Sequence, residues 1–445
     1  MTSIYRNRGI SEQVEAVHNG AISAAELAAA VRTDITRYER KLKAWVALSQ
    51  ENTAIPVPGE TAPDPRPLAG ISIGVKDIID VAGLPTRSGS PITADAPARS
   101  DAAFVARLRE LGAVIQGKTV TTEFGYFSPG PTANPWDHSH TPGGSSSGSA
   151  AAVGANTIAV ALGTQTAGSL TRPASFCGAA GMVLAVGSVP MTGVHGLSKT
   201  LDALGLLTRT VADLDYVHAA ITGREYDSTP QPVPGETTLH VWQGSDLLPL
   251  APQMQDLLRE VPRLSDEVGA GNELLDWNDH VTTLASDHRT VMGHEAARTM
   301  ATVRAEHGTE LSPQLQELLR SGSEVPEQDY REALIRREIS YRALERKLGA
   351  DGIIIGPAAQ GPAPDRSTGT GSPDLSRPWQ LLGLPVVVVP GARATTGMPL
   401  GLQLIGLPGS EPRLLALGRR LEQLLRRLPS FSEHNTQPTL KDLTW

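Results

Sequence analysis

The stretch TPGGSSSGSAAAVGANTIAVALGTQTAGSLTRP, residues 141–173, decides how the rest of the sequence is interpreted. Two clusters of Ser and Gly flank a run of small residues that fits a tightly packed helix and an apolar run that fits a strand. Glycine at this density suits places where the backbone must approach another group closely. The clusters place Ser145 and Ser169 at the ends of short regular elements. We therefore expect these two hydroxyls to belong to one site.

The composition is typical of a globular protein that is soluble in water. Hydrophobic residues make up 40% of the 445 residues and charged residues 19%, and the net charge is −8. An acidic balance argues against a broad nucleic-acid surface, which needs a clustered basic excess. The apolar runs at 182–186 and 381–389 are too short or too interrupted to cross a bilayer, which takes about 20 residues. We therefore predict no nucleic-acid partner and no membrane association.

The start of the chain and its cysteine content bear on where the protein works. The first residues, MTSIYRNRGISEQV, contain no apolar segment typical of a secretory signal. A cytoplasmic location is the expectation that follows. Cys177 is the one cysteine of the sequence, so we expect neither an intramolecular disulfide nor a multi-cysteine metal site.

Strand and helix patterns alternate along much of the chain. Apolar residues alternate over 71–75 as in a strand, and Lys76 follows at its end. Ser100 and Asp101 are expected to cap a helix that ends at Gly112. This order predicts an α/β fold in which helices cover a sheet. Further helices are predicted at 11–19, 27–42 (after a Ser23–Glu26 capping box), 208–222 and 411–427, and further strands at 113–116, 240–242, 352–355, 386–389 and 400–405.

Residues 247–348 differ from this alternation because they are largely helical by pattern. The predicted helices are 253–260, 285–307, 313–320 and 327–348. We interpret this block as a variable helical insertion that forms a wall of a cleft or a lid.

The serine clusters suggest a nucleophile, and a serine hydroxyl needs a neighbouring base to become one. The 11 histidines are scattered, and none lies in a motif with a carboxylate. The string GSSSG at 144–148 matches the G-x-S-x-G pattern of a nucleophile elbow, with Ser146 as nucleophile. Lys76 is an alternative base because its neighbours are apolar, and burial lowers the pKa of an amine. A solvated lysine of no catalytic use is the third interpretation, and the residues alone leave all three open.

Several longer motifs resemble the amidase signature family of serine hydrolases. The principal ones are GISIGVKDIIDVAGLPTRSGS at 70–90, TPGGSSSGSAAAVGA at 141–155, ALGTQTAGSLTRPASFCGAAG at 161–181 and LSKTLDALGLLTRTVADL at 197–214. Others are GAVIQGKTVTTEFGY, DLSRPWQLLGLPVVVVPG and GMPLGLQLIG. They occur in order over about residues 68–220, the predicted catalytic core segment, and over about 350–425.

This resemblance implies a fold and a set of catalytic roles. The fold is one α/β domain over 1–445, with a central mixed sheet covered by helices on both faces. Ser169 matches the nucleophile, Ser145 matches a serine that enters through a cis peptide bond and relays a proton, and Lys76 matches the general base. The backbone amides of 166–169 (Thr166, Ala167, Gly168 and Ser169) match the oxyanion hole. No metal and no cofactor are implied.

The nucleophile loop departs from the commonest form of the family at three positions. Gln165 stands where an Asp is usual, Ala167 stands where a Gly is usual, and Arg172 follows Ser169 by three residues instead of two. Because the usual Asp and Arg support this loop, we expect Gln165 and Arg172 to hydrogen-bond there. Ala167 raises a question about the hole, since alanine resists a positive φ.

The resemblance also indicates residues that contact substrate. Gly125, Tyr126 and Phe127 lie where family members line the cleft. Trp379 and Gln380 lie in a C-terminal loop that resembles another wall of it.

The predicted activity is metal-free hydrolysis of a carbon–nitrogen acyl bond through an acyl-enzyme on Ser169. The substrate is a small amide, with aryl amides, carbamates (urethanes, through a carbamoyl-enzyme) and esters as further options. One alternative is the A-type subunit of a glutamine-dependent amidotransferase, which needs a second protein as partner. Another is a non-catalytic binding or scaffold member of the same fold. We expect a monomer or a homodimer.

Overall fold

The structure, a computed structural model, describes residues 8–50, 64–229 and 237–428. The expectation that no secretory signal is present rests partly on residues 1–7, which lie outside the described residues. The helices are α1 Ile10–His18, α2 Ala24–Leu42, α3 Ala103–Glu110, α4 Ser147–Gly154, α5 Thr171–Cys177, α6 Val211–Thr222, α7 Pro252–Val268, α8 Asn278–Thr299, α9 Ala301–His307, α10 Pro313–Glu324, α11 Glu327–Leu348, α12 Arg377–Leu381 and α13 Glu411–Leu425. The strands are β1 Trp45–Leu48, β2 Ser72–Lys76, β3 Val114–Thr119, β4 Val160–Gln165, β5 Ala180–Val183, β6 Ala203–Thr208, β7 Thr238–Val241, β8 Gly271–Leu274, β9 Ile353–Pro357, β10 Val386–Arg393 and β11 Pro399–Ile405.

The described strands form one sheet of 11 strands in the order β1-β3-β2-β4-β6-β5-β10-β11-β9-β7-β8. β2 lies parallel between β3 and β4, and β7 lies parallel to both β8 and β9. The other pairs are antiparallel, so the sheet is mixed. Helices cover both faces, which confirms the predicted fold class. No described helix has both the length and the apolar character that a membrane span requires.

The N-terminal helices form where the apolar period predicts them. The capping box at the start of α2 is present, because Glu26 N donates to Ser23 Oγ over 3.1 Å and Ser23 N donates to Glu26 Oε2 over 2.9 Å. The buried side chains of α2 include Leu27, Ile35 and Leu42, which the period predicts to face inward.

The predicted β–α–β unit is present as β2–α3–β3, but its helix is not capped as predicted. The N-cap residue of α3 is Ala102, and no side chain accepts a hydrogen bond there. Asp101 is already engaged elsewhere, since its Oδ1 accepts from Ala82 N over 2.8 Å and its Oδ2 lies 2.9 Å from Arg109 Nε. The carboxylate therefore ties the helix to the loop after β2, which is a tertiary contact that the local pattern does not contain.

Residues 247–348 contain more than the predicted helices. β8 lies within them and pairs in parallel with β7, so this block adds an edge strand to the sheet. The helix predicted at 285–307 is two helices, α8 and α9. They are separated at Met300, which has non-helical φ and ψ of −99° and 16° and is buried.

Two central strands, β5 and β6, are absent from the predictions. Their sequences are AGMV and ALGLLT, which contain few β-branched residues and carry no alternating pattern. Every residue of both strands is buried. A strand covered on both faces has no polar side to mark it in the sequence.

Candidate active site

The candidate site lies at the edge of the sheet where β2 and β4 end. The two strands are parallel neighbours, and Val75 pairs with Leu162. Their carboxyl ends therefore meet at the same edge. Lys76, the last residue of β2, and the loop that follows Gln165, the last residue of β4, reach that edge together.

Helix α4 begins at the same edge and brings Ser145 with it. All eight residues of α4 are buried, and the helix packs on β2, β3 and β4. A Cβ at Gly148 would lie 2.2 Å from Ala44 O and 2.4 Å from Val120 N. This close approach of helix to backbone explains the small residues of the stretch and fixes the position of the serines that precede it.

Lys76 has no exposure to solvent, and its contacts are neutral. Its Nζ lies 2.7 Å from Ser145 Oγ and 2.7 Å from Thr164 Oγ1. Burial lowers the pKa of Lys76 to about 7, and the charge of Asp202 acts in the opposite direction. Once the amine is neutral, it can accept a proton from the Ser145 hydroxyl. The geometry thus brings together a base and a hydroxyl that are 69 residues apart in sequence.

Ser145 and Ser169 line the same cavity. The Gly144–Ser145 peptide bond is cis, as the resemblance implies. Ser169 is half-buried, so a ligand in the cavity can reach it. Ser146, the nucleophile of the elbow interpretation, has no exposure, and its hydroxyl lies 3.3 Å from Thr164 O. Because Ser146 faces the backbone of β4 and not the cavity, the elbow interpretation has no geometric basis.

Gln165 supports the loop that carries Ser169. Its Oε1 accepts from Leu170 N at 3.0 Å, from Thr171 N at 3.1 Å and from Thr171 Oγ1 at 3.1 Å. The side chain thereby satisfies amides at the start of α5 that have no partner within the helix. The amide of Gln165 fills this acceptor role without bringing a negative charge into the site.

Arg172 reaches back from α5 to the other serine cluster. Its Nη2 donates to Gly144 O over 2.6 Å, and the side chain also lines the cavity. Burial lowers the pKa of Arg172 to about 9. The arginine therefore connects the loop of Ser169 with the loop of Ser145.

The substitution of Ala for Gly at 167 fits the loop. Ala167 is not among the residues with a positive φ, so its Cβ meets no backbone strain there. Gly168 is constrained by space instead, because a Cβ there would lie 3.1 Å from Pro373 Cα and 3.2 Å from Arg172 Nη1.

Asp202 is a site residue that sequence reasoning missed. Its Oδ1 accepts from Thr166 Oγ1 over 2.6 Å, and its Oδ2 accepts from Ser198 N over 2.8 Å. Burial raises the pKa of Asp202 to about 6. The residue lies in the motif LSKTLDALGLLTRTVADL, where no local pattern marks it as a partner of the nucleophile loop. Thr164, the second contact of Lys76, was also missed.

The cavity in front of the two serines is small and partly open to solvent, with about 350 Å³ of empty space. Gly125, Tyr126 and Phe127, predicted as contact residues, do line it. The lining also includes residues that no prediction named: Leu197, Met292, Thr370, Pro373 and Arg377.

Trp379 and Gln380, predicted as contact residues, do not line the cavity. Trp379 has no exposure and packs against Trp242 and Trp277, with ring centroids 5.1 Å and 6.2 Å apart. Gln380 is also buried. Its Oε1 accepts from Gln165 Nε2 over 3.1 Å, and its Nε2 donates to Leu201 O over 2.5 Å. The loop resembles a cleft wall in sequence, but its cavity-facing residues are Pro373 and Arg377.

The described residues contain neither a cluster that could hold a metal ion nor a reactive thiol. Over 8–50, 64–229 and 237–428, no three His, Cys, Asp or Glu side chains lie together as a metal site requires. Cys177 is buried, and burial raises the pKa of its thiol, which keeps it protonated.

Known proteins resemble this chain in sequence and in fold. The sequence model of the family described as Amidase matches residues 27–246. The A-type subunit of glutamyl-tRNA(Gln) amidotransferase from Anaeromyxobacter sp. (strain K) is 32% identical over 493 aligned positions, which cover 96% of this chain and 98% of that protein. The corresponding chloroplastic/mitochondrial protein of Vitis vinifera is 32% identical over 420 positions, covering 81% of this chain and 77% of that protein. A solved structure described as a crystal structure of amidase superposes with a TM-score of 0.82 at 28% identity, covering 94% of this chain and 100% of that one.

The chain belongs to the amidase signature family. Five of the seven motifs that carried the resemblance contribute residues to the lining of one cavity, at the carboxyl edge of the parallel strands β2 and β4.

Proposed function

We propose that this protein cleaves the carbonyl–nitrogen bond of a small amide through an acyl-enzyme on Ser169. The observation that carries the proposal is the buried Lys76 amine 2.7 Å from Ser145 Oγ, with Ser145 and Ser169 on the same cavity. Such an arrangement supplies a base without a histidine, because burial lowers the pKa of the amine to about 7 and a large fraction of it is then neutral near pH 7.

The proposed first step moves one proton along this chain of groups. Ser169 Oγ attacks the carbonyl carbon, its proton passes to Ser145, and the Ser145 proton passes to neutral Lys76. The carbonyl oxygen becomes an oxyanion, which the backbone amides of 166–169 stabilise. Return of the proton by the same route to the nitrogen releases an amine and leaves the acyl group on Ser169. A water molecule, which gives a proton to the same base, then attacks the ester and releases the acid.

The same groups act on any acyl carbonyl of suitable size. A carbamate gives a carbamoyl-enzyme, and an ester gives the same acyl-enzyme as the corresponding amide. The mechanism requires no metal, because the lysine acts as base and backbone amides bind the oxyanion. We therefore keep aryl amides, carbamates and esters within the proposed substrate range.

A second candidate function is the glutamine-hydrolysing component of an amidotransferase. The relatives named as A-type subunits of glutamyl-tRNA(Gln) amidotransferase favour it, since they match this chain over most of its length. In that case glutamine is the amide, ammonia is the leaving group, and a partner protein receives the ammonia. The sequence similarity supports this candidate better than it supports a free-standing amidase.

The side chains around the cavity favour the free-standing amidase. Glutamine carries an α-ammonium, which a carboxylate ordinarily pairs. Among the described residues that line the cavity none is acidic, and Arg172 and Arg377 are basic. The lining therefore offers no partner for an ammonium group, which supports a substrate that carries none.

The non-catalytic alternative, a scaffold or binding protein of the same fold, is tested by chemical labelling. A covalent serine probe labels Ser169 if the site is active and fails to label it in a scaffold.

We propose that the free-standing enzyme works in the cytoplasm as a monomer or homodimer. The amidotransferase candidate requires a hetero-oligomer, and its Vitis vinifera relative is named as chloroplastic/mitochondrial.

The deciding experiment measures hydrolysis of a short aliphatic amide, an anilide, an aryl carbamate, an ester and glutamine by wild type and Ser169→Ala. We expect turnover by the wild type that Ser169→Ala abolishes. Glutamine as the preferred substrate selects the amidotransferase candidate, and any other preferred amide or carbamate selects the amidase. Activity of Ser169→Ala within tenfold of wild type refutes the acyl-enzyme on Ser169.

A further inference from the structure

A histidine from the helical block touches the loop that is proposed to hold the oxyanion. His288 lies on α8, has no exposure, and its Nε2 is 2.7 Å from Thr166 O. Its Nδ1 is 2.8 Å from Nη1 of Arg377. No motif in the sequence connects these residues, which are 122 and 89 positions from His288.

The partners of His288 determine which ring nitrogen carries the proton. A guanidinium can only donate, so Nδ1 must accept from Arg377. Nε2 therefore carries the hydrogen and donates to Thr166 O. Burial and the charge of Arg377 both hold the pKa of His288 well below its usual value, which keeps the ring in this neutral form.

The hydrogen bond to Thr166 O orients the next backbone amide. The Thr166–Ala167 peptide bond is trans, so its C=O and N–H point in opposite directions in one plane. Holding the carbonyl on the side of α8 directs the Ala167 N–H away from α8. Thr166 and Ala167 both line the cavity, and Ala167 N–H is one of the proposed oxyanion donors.

Two further contacts make this arrangement rigid. The Thr166 hydroxyl is held by Asp202 over 2.6 Å, so side chain and carbonyl of Thr166 are both fixed. Arg377 is itself held by Asp374, whose Oδ1 accepts from Arg377 Nε over 2.8 Å. The position of His288 is thus set from both sides.

We infer that His288 is a positioning residue of the oxyanion hole, which aims the Ala167 N–H by holding the carbonyl of Thr166. The inference rests on the proposed function, because it assigns a task within that reaction. It gives α8 a part in the chemistry, although this helix lies in the block that sequence motifs leave unassigned.

The test compares His288→Leu, His288→Gln and the control His294→Leu on the panel substrate that wild type hydrolyses fastest. Leucine removes the donor, whereas the amide of glutamine places an N–H donor near Nε2 and an acceptor for Arg377. His294 is on the same helix, is also buried, and does not line the cavity. We expect His288→Leu to lower kcat about 10- to 100-fold with KM within about threefold, since loss of a whole donor costs more than this. We expect His288→Gln and His294→Leu to stay within about fivefold of wild-type kcat.

A second measurement distinguishes positioning from loss of structure. Phenylboronic acid forms a tetrahedral adduct with an active serine, and we expect its affinity to fall across the variants in proportion to kcat/KM. Thermal unfolding should shift similarly for His288→Leu and His294→Leu. Wild-type kcat in His288→Leu, or unchanged boronate affinity with reduced kcat, overturns the inference. If Ser169→Ala retains turnover, it is the proposed function that fails instead.

Discussion

Two completely buried lysines near the site differ in the partners that they have. Lys118 Nζ lies 2.9 Å from Asp77 Oδ1, and neither side chain is exposed. Lys76 contacts two hydroxyls, Ser145 and Thr164, and no carboxylate directly. A paired carboxylate stabilises the ammonium form directly, whereas two hydroxyls compensate much less of the cost of burying it. Burial lowers the pKa of both amines, but the charge and hydrogen bond of Asp77 act against this at Lys118, so Lys76 is the better suited of the two to accept a proton.

The lowered pKa of Lys76 sets the pH dependence that we expect for the reaction. Only the neutral amine accepts a proton, so kcat/KM of wild type should rise with pH through about 7 and then level off. Lys76→Ala should reduce the acylation rate by orders of magnitude and lose this dependence. The measurement is kcat/KM from about pH 5 to 9, and a flat wild-type profile would count against a lysine base.

The same pKa predicts a stability difference, which is independent of turnover. Between the folded pKa of about 7 and the unfolded pKa of about 10.5, the unfolded chain binds a proton at Lys76 that the folded chain does not. As pH rises through this window, the free energy of unfolding of wild type should therefore increase relative to that of Lys76→Met. The expected slope is up to ~1.4 kcal/mol per pH unit. Urea unfolding of both proteins at several pH values measures the difference, in which the titrating groups that do not interact with Lys76 cancel.

At the scale of elements, the contact of α4 with the sheet positions the serines. The helix approaches so closely that the position of Gly148 leaves no space for a Cβ beside Ala44 O and Val120 N. The next turn of α4 consists of alanines, which pack on the sheet without widening this gap. The small residues of the stretch are thus a packing requirement as well as a signature.

Gly148→Ala should destabilise the protein and lower activity together. The new Cβ meets backbone atoms that cannot move aside, so we expect a loss of about 3 kcal/mol or more and displacement of Ser145. Gly271→Ala is the matched control, because a Cβ at this position in β8 has no atom nearer than 3.6 Å and φ is not positive. Urea unfolding and the panel assay measure both variants. Equal stability of Gly148→Ala and Gly271→Ala would show that the close approach is unimportant.

At the scale of the whole molecule, one sheet connects the catalytic segment with the helical block. β8 of residues 247–348 extends the sheet at its edge, and Met292 of α8 lines the cavity. We therefore propose that the block forms a wall of the cleft and belongs to the single domain of 1–445. The proposed 68–220 segment supplies the serines and the lysine, and this block closes one side of their cavity.

We predict that the enzyme needs no metal ion, because the base and the oxyanion donors of the proposed reaction all belong to the chain. Dialysis against EDTA should leave the turnover of the preferred panel substrate unchanged, because no step uses a Lewis acid. Activity is measured before and after dialysis, with the dialysed enzyme assayed again after addition of zinc. Loss of activity that zinc restores would contradict the mechanism.

The sequence predicted parts of both the proposed site and the sheet. Lys76, Ser145 and Ser169 were assigned to one proposed site because each lies in a motif that occurs in order with the others. β5 and β6 were missed because they combine burial on both faces, which removes a polar side, with few β-branched residues. Trp379 and Gln380 were assigned to the cleft from the resemblance of their loop, but the direction of each side chain depends on how α12 packs.

The sequence by itself determined the class of fold, the elements with a clear apolar period and the order of the motifs. These features depend on residues close together in the chain, where propensity and periodicity act. Tertiary structure alone decided the neutral environment of Lys76, the support of Thr166 by Asp202 and His288, and the lining of the cavity by α8. These features depend on burial and on contacts between distant parts of the chain, which no local pattern specifies. Thr166, for example, contacts residues that are 36 and 122 positions away.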